Sequence, residues 1–295
     1  MRRILKYLGI GLGALVVLAL GAAAFIYVVS EQKIRKIYDL PLSSIAFPTE
    51  SLVLTEGQRL ATVRGCYNGC HGEGLDGGVL FDRPLLARVV APNLTQVVAQ
   101  YTDAELERVI RHGIRRDGKS TLAMPSSMFY HLSDHDLGAI IAFLRSVPVT
   151  EGPATEISLG PLARLGLVLG KYNPQAELID HDAPRLAVRD RSDHVAFGKY
   201  LALTSCTECH GLNLRGNPDM STPNLAIAAT YSEEDFARLM RTGVPLGGRE
   251  LRRMSDVARQ RFSHLRAGEI RALHTYLTTL GAPAGAGGDS SQPTM

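Results

Sequence analysis

"CTECHG", residues 206–211, places two thiols three positions apart with an imidazole directly behind the second. That C-x-x-C-H spacing reads as the attachment site of a c-type haem. Two thiols on one short turn can each add to a vinyl group of a porphyrin, and His210 is then held beneath the ring, within reach of iron. Three other chemistries compete for the motif: a thioredoxin-like redox pair, half of a zinc site, or a small disulfide loop. A redox pair would want a βαβ setting that the flanking sequence lacks, and zinc would want further ligands at closed spacing. Cys206, Cys209 and His210 are therefore candidate haem-binding residues.

The chain has four cysteines, and the other two lie in "GCYNGCHG", residues 65–72, where Cys66 and Cys70 enclose Tyr67, Asn68 and Gly69. That is one residue more than the haem motif needs. Self-similarity along the chain decides how to read it. The first half runs "GQRLATVRGCYNGCHGEGLDGG", "APNLTQVVAQYTDAELERVIRHGI", "FYHLSDHDLGAIIAFLRSVP", and the second runs "GKYLALTSCTECHGLNLRGN", "TPNLAIAATYSEEDFARLMRTGV", "FSHLRAGEIRALHTYLTTLG". Each half predicts a helix entering the cysteine motif, a Pro-Asn-Leu turn, a middle helix ending at Gly, and an amphipathic last helix. Leu137, Ile140, Ile141 and Leu144, like Ile270, Leu273, Tyr276 and Leu277, fall at helical spacing on one core-facing stripe. Because the rest of the first repeat is in place, Cys66, Cys70 and His71 read as a haem site whose loop bulges by one residue. Glycines at 65, 69 and 72 make the bulge geometrically tolerable. The alternatives are one thioether with Cys66 free, or a Cys66 to Cys70 disulfide over an empty or non-covalently filled pocket.

In combination, "APNLT", "VIRHGI", "MPSSMFYHLSDHDLGAIIAFLRS" and "CTECHG" resemble class I c-type cytochrome domains. From about residue 50 to 281 the chain is similar to the membrane-anchored dihaem cytochromes c of bacterial respiratory chains, departing from them at the stretched first motif. The resemblance implies an all-α fold, two tandem class I cytochrome c domains after an N-terminal transmembrane helix, and two covalently attached haem c groups. It implies a methionine sixth ligand for each iron. Met124 matches the family's loop ahead of the last helix better than Met128, and Met254 is favoured over Met220 and Met240. His131 and His264, at matching positions before the last helices, are the bis-histidine alternative. The carbonyls of Pro92 and Pro223 are expected to accept the second ring proton of the proximal histidines.

Ahead of the repeats, Arg2, Arg3 and Lys6 precede an apolar run from Tyr7 to Val29. As a helix it would reach about 34 Å, enough to cross a bilayer. Ala22 and Ala24 also allow a signal-peptidase site, but the run continues past an ordinary signal core, so an uncleaved anchor is expected. The leading basic residues put the N-terminus in the cytoplasm and the haem units on the periplasmic side of the inner membrane. The expected organisation is an anchor over 1–30, a juxtamembrane segment over 31–50, cytochrome units over 51–149 and 194–281, a linker over 150–193, and a disordered tail over 282–295. Within the linker, "LGPLARLGLVLGKY", residues 159–172, is expected to be a helix packed on a domain.

The 295-residue chain has a net charge of +3 and a pI near 8.7, with no basic runs interleaved with aromatics, so nucleic acid is not a partner. Arg249, Arg252, Arg253, Arg259, Arg261 and Arg266 crowd the region of Met254, as a rim that steers an acidic redox partner or as a solvated face. The expected function is single-electron relay between a donor dehydrogenase or quinol-oxidising complex and a terminal oxidase or soluble cytochrome. The chain itself is then a carrier and not an enzyme. A dihaem peroxidase would want a tryptophan between its haems, and the chain has none. A sulfur-oxidising dihaem enzyme would want a spare cysteine, and all four are assigned. A haem-based sensor with an open first site is the third reading.

Overall fold

An apolar, uncharged run long enough to cross a bilayer becomes helix α1, Arg2–Arg35, in a computed structural model that describes residues 2–43, 51–187 and 190–281. After it come α2 (Ser51–Val63), strands β1 (Gly78–Arg83) and β2 (Ala87–Ala91), then α3 (Leu94–Val97), α4 (Asp103–His112), α5 (Ser126–Phe129) and α6 (Asp134–Ser146). Strand β3 (Glu156–Leu159) and helix α7 (Pro161–Val168) follow. The second half contains α8 (His194–Leu203), α9 (Thr207–His210), α10 (Glu233–Thr242), α11 (Arg253–Gln260) and α12 (Ala267–Thr279). The tail over 282–295 and part of the juxtamembrane segment, 44–50, lie outside the described residues.

The repeat is visible in how the first and last helices of each half cross. A β-carbon on Gly57 of α2 would sit 1.9 Å from the Ala139 carbonyl oxygen of α6, and one on Gly198 of α8 would sit 2.0 Å from that of Ala272 in α12. Only glycine allows backbones this close, so the two halves share one helix crossing. The middle helices match as well. Thr102 and Glu105 form a capping box that starts α4, and Ser232 caps α10. Each stops at a glycine, Gly113 at φ 66° and Gly243 at φ 74°, the left-handed turn that ends a helix cheaply. Leu137, Ile140, Ile141 and Leu144 are buried in one core, and Ile270, Leu273 and Leu277 in the other, with Tyr276 packed at its edge.

The chain is mostly helical, as expected, but a three-stranded antiparallel sheet in the order β1-β2-β3 departs from an all-α design. β1 and β2 form a hairpin directly after the first cysteine motif, with Gly78 opposite Ala91 and Arg83 opposite Ala87. β-Branched residues at Val79, Val89, Val90 and Ile157 favour a pleated surface, and Pro84 sits in the turn where it interrupts no ladder. The third strand comes from the 150–193 stretch, which does more than join the halves. Asn93 Nδ2 donates to the Thr150 carbonyl at 2.8 Å, Ser127 Oγ to Gln175 Oε1 at 3.1 Å, and the Tyr130 hydroxyl to the Ala183 carbonyl at 2.5 Å. Helix α7 within it packs on α1.

The two halves meet through buried polar groups. Asp136, at the start of α6, accepts from the Tyr200 hydroxyl of α8 at 2.7 Å and from Arg191 at 2.6 Å, and faces Arg64 at 3.7 Å. Arg59 of α2 binds Glu269 of α12 at 2.7 Å.

Candidate haem sites

In the second half, α8 delivers the chain into the motif and α9 carries it. The Cys206 N–H donates to the Ala202 carbonyl at 2.9 Å, and the His210 N–H donates to the Cys206 carbonyl at 3.0 Å. This ordinary helical turn leaves both thiols and the imidazole on one short segment. His210 is buried, and its Nδ1 lies 2.9 Å from the Pro223 carbonyl oxygen. A carbonyl can only accept, so Nδ1 carries the proton and Nε2 is left as a free lone pair.

The first half reproduces this arrangement around its extra residue. His71 is buried with Nδ1 3.0 Å from the Pro92 carbonyl oxygen. Beyond the histidines the halves are in step again: Gly77 donates to the His71 carbonyl at 2.9 Å and Gly216 to the His210 carbonyl at 2.8 Å. Leu94 likewise donates to Leu75, and Leu225 to Leu214, at 2.7 and 2.9 Å. The insertion is absorbed between the cysteines. Cys70 N–H donates to the carbonyl of Gly65, five residues back, at 2.8 Å, a wider turn of the kind that holds one extra residue. Asn68 takes a left-handed conformation at φ 53°, which Asn tolerates better than most side chains. At Gly69 a β-carbon would fall 2.3 Å from the Gly65 carbonyl oxygen, so this position has no room for any side chain.

None of the four cysteines is joined to another in a disulfide. Burial pushes Cys66 up to about 11 and Cys206 up to about 12, and raises Cys70 and Cys209 as well. Thiols held protonated at neutral pH are poor exchange nucleophiles, which argues against the thioredoxin-like reading. Among the described residues, no group of three or more His, Cys, Asp or Glu is arranged to hold a metal ion, which argues against zinc. Burial also pushes the His71 and His210 imidazoles down, against the pull of the proline carbonyls, so both rings are neutral and able to ligate.

Cys66, Cys70, His71, Pro92 and Met124 line one cavity of about 410 Å³, walled by apolar side chains including Val90, Val98, Leu106 and Ile140. This size and lining suit a flat hydrophobic cofactor. Arg115 also lines the cavity, and its Nε is buried with no partner, a donor placed to meet a carboxylate. The residues thus fit a haem: thiols for covalent attachment, a neutral imidazole, a thioether, an apolar box and a cation. Met128, the rival of Met124, is instead packed in the core at 1 % exposure. In the second half Met254 opens α11 and packs against the cluster that contains Leu214 and Met240, with Met240 buried inside that cluster. His131 accepts from the Leu186 N–H at 3.3 Å and does not line the first cavity.

Sequence reasoning missed the contact between the two motifs. Arg261 does not join an exposed rim. It is 12 % exposed, donates from Nε to the Val63 carbonyl at 3.2 Å, and lies 3.4 Å from Glu208, the residue just before Cys209. A β-carbon on Gly65, beside Cys66, would sit 2.7 Å from the Arg261 Cζ. Glu208 in turn lines the first cavity. The two cysteine motifs therefore face each other across one Arg-Glu pair. Arg259 and Arg266 are also engaged, with Glu250 and Asp256, and with Glu56.

Comparison with known proteins matches the cytochrome c family model to residues 54–148 and 195–281. Among curated relatives, the cytochrome subunit of fructose dehydrogenase from Gluconobacter japonicus is 25 % identical over 263 residues, covering 79 % of this chain and 54 % of its own length. The cytochrome c subunit of the quinone alcohol dehydrogenase from Gluconobacter oxydans is 26 % identical over 278 residues, covering 80 % and 56 %. The gluconate 2-dehydrogenase cytochrome c subunit from Pantoea cypripedii is 24 % identical over 282 residues, covering 78 % and 60 %. The chain spans a little over half the length of these relatives.

Proposed function

Since the chain belongs to the cytochrome c family in both of its halves, we propose that it is a membrane-anchored dihaem electron carrier that takes single electrons from a dehydrogenase. The observation that carries this reading is the pair of buried histidines, each locked by a proline carbonyl with Nε2 free, in the first half within one cavity that also holds Met124. Haem, when bound, supplies the one-electron iron couple. The protein's part is to attach it through Cys66, Cys70, Cys206 and Cys209, to present His71 and His210 as neutral ligands, and to complete each coordination with Met124 and Met254. Thioether ligation raises the reduction potential and leaves no coordination position for a substrate.

The relatives named above are cytochrome subunits of dehydrogenases, which supports a dehydrogenase donor here. The acceptor that suits such a chain is a terminal oxidase or a soluble cytochrome. Helix α1 stays in place as an anchor in the inner membrane, with the haem units on the periplasmic side. Spectroelectrochemical titration of the holoprotein tests the proposal: two one-electron steps are expected, and the reduced protein is expected not to bind carbon monoxide. Rapid binding by the unmodified protein would overturn the carrier reading in favour of an enzyme or a sensor. In Met124→Ala, one carbon monoxide per chain is expected to bind, with a fall in one potential only. Met128→Ala should lower stability by about 2–5 kcal/mol, as a large-to-small core change, without altering the spectrum.

The Arg261 and Glu208 pair lies where charge acts on both motifs at once. A buried cation disfavours the oxidised, more positive state, and an anion favours it. Arg261→Gln is expected to move the midpoint potentials down and Glu208→Gln to move them up, with Arg261→Lys near the parent. Shifts of the same sign from both neutralising variants would show that the pair acts only through packing.

A further inference from the structure

We propose that helix α7 and the β1-β2 turn form a second membrane contact, lying on the bilayer surface at the point where α1 emerges. The proposal rests on the reading of α1 as a retained anchor. It begins with a helix whose exposed face is apolar. Leu162 and Leu169 are seven positions apart, on one side of α7 and its cap, and are 55 % and 63 % exposed, with Leu165 between them. The β1-β2 turn extends this face. Leu162 donates its N–H to the Leu85 carbonyl at 3.0 Å, Gly160 donates to that of Leu86 at 2.8 Å, and the Leu85 side chain is 66 % exposed. A run of large apolar side chains on a surface calls for an occupant.

Depth identifies the occupant. Tyr27 lies inside the apolar run of α1, two residues before its end at Val29. The Arg164 guanidinium of α7 stacks over the Tyr27 ring at 4.4 Å and reaches Ser30 Oγ and Glu31, each at 2.9 Å. Lys33 Nζ donates to the Leu167 carbonyl at 2.8 Å. These contacts tie α7 to the last turns of the membrane-crossing helix, so α7 shares their level, the boundary between acyl chains and headgroups. A short amphipathic helix with leucines on one face and a snorkelling arginine is suited to that boundary. Exposed Arg83 and Lys171 lie nearby in sequence, a charge suited to anionic headgroups, while Arg35 is paired with Glu31. A protein partner would have to reach these leucines at the depth lipid already occupies.

The test uses the full-length holoprotein in liposomes of phosphatidylcholine and phosphatidylglycerol, with an aryl-diazirine photolabel dissolved in the lipid and adducts mapped by peptide mass spectrometry. Adducts are expected on residues 161–169 and on Leu85 and Leu86, as well as on α1. In Leu162→Glu/Leu169→Glu, labelling of these segments should be lost while α1 labelling and the haem spectrum persist. Label confined to α1, with Leu162 and Leu169 open to hydroxyl-radical oxidation, would overturn the proposal and leave a protein as the occupant. An unlabelled or missing α1 would sink the anchor reading itself, and the proposal with it.

Discussion

Gly69→Val is expected to leave one covalently bound haem per chain in place of the two expected for the parent, and the haem that remains should be the one on Cys206 and Cys209. The stretched motif closes by a turn that brings Cys70 N–H back to the Gly65 carbonyl at 2.8 Å, and a side chain at 69 would press on that same carbonyl, at 2.3 Å from its first carbon. Relief requires moving Gly65 or opening the turn. Gly65 is held in place by the Arg261 side chain packed over it, so the turn opens and the two thiols part. Intact mass after acid-acetone extraction counts the covalent haems, and a pyridine haemochrome spectrum reports how many vinyl groups have reacted. Two haems retained in Gly69→Val would mean that the tight turn is not needed for attachment. One haem in the unmodified protein would mean that the first motif never acts as a covalent site, whatever its shape. The matched control is Asn68→Gly, where the left-handed conformation is kept at lower steric cost and both haems should remain.

Around the stretched motif, the repeat was legible. With "CTECHG" as a reference, an order of helix, motif, Pro-Asn-Leu turn, middle helix and last helix could be laid over the first half, and the structure puts Gly57 and Gly198, Gly113 and Gly243, and Pro92 and Pro223 at matching positions. Local pattern sufficed there, since each of these residues answers a demand of the backbone within its own half. The sheet escaped because its third strand comes from residues 156–159, some 65 positions beyond β2, and its four residues are too few to show alternation. The contact between motifs escaped for a related reason. Arg261 reads as one of several arginines in a polar loop, and nothing near it in sequence says that its side chain reaches Val63 and Glu208. Asp136 hides in the same way, since an acid in the first turn of a helix needs no further explanation.

Asp136→Asn is expected to cost the holoprotein about 3–5 kcal/mol, the usual penalty for stripping a buried ion pair of one charge. Asp136 and Arg64 have side chains only 2 % and 1 % exposed, and two of the three nitrogens of the Arg64 guanidinium have no partner. Without the carboxylate, that cation keeps a hydrogen bond to the Thr204 hydroxyl at 3.3 Å and its place over the Tyr200 ring. The loss falls between the halves, because Arg64 follows α2 while Tyr200 and Arg191 belong to the second half and its approach. Calorimetry should therefore show one transition for the parent and two for Asp136→Asn. The pH dependence has a definite sign. Burial works to raise the Asp136 carboxyl, but Arg64 and Arg191 overcome it and hold the group down to about 2. A carboxyl lower in the folded than in the unfolded chain contributes stability that is complete above its ordinary value near 4 and is lost as pH falls towards 2. The parent should lose stability steeply over that interval, and Asp136→Asn should lose less. Arg64→Met/Asp136→Leu separates charge from packing. An apolar pair removes the two buried ions but takes the acceptor from the Tyr200 hydroxyl and Arg191, so this double variant should recover part of the stability that Asp136→Asn loses and should lose less than the parent between pH 4 and 2. Superimposable acid profiles for the parent and Asp136→Asn would place the pH dependence elsewhere in the chain and remove Asp136 as the joint between the two halves.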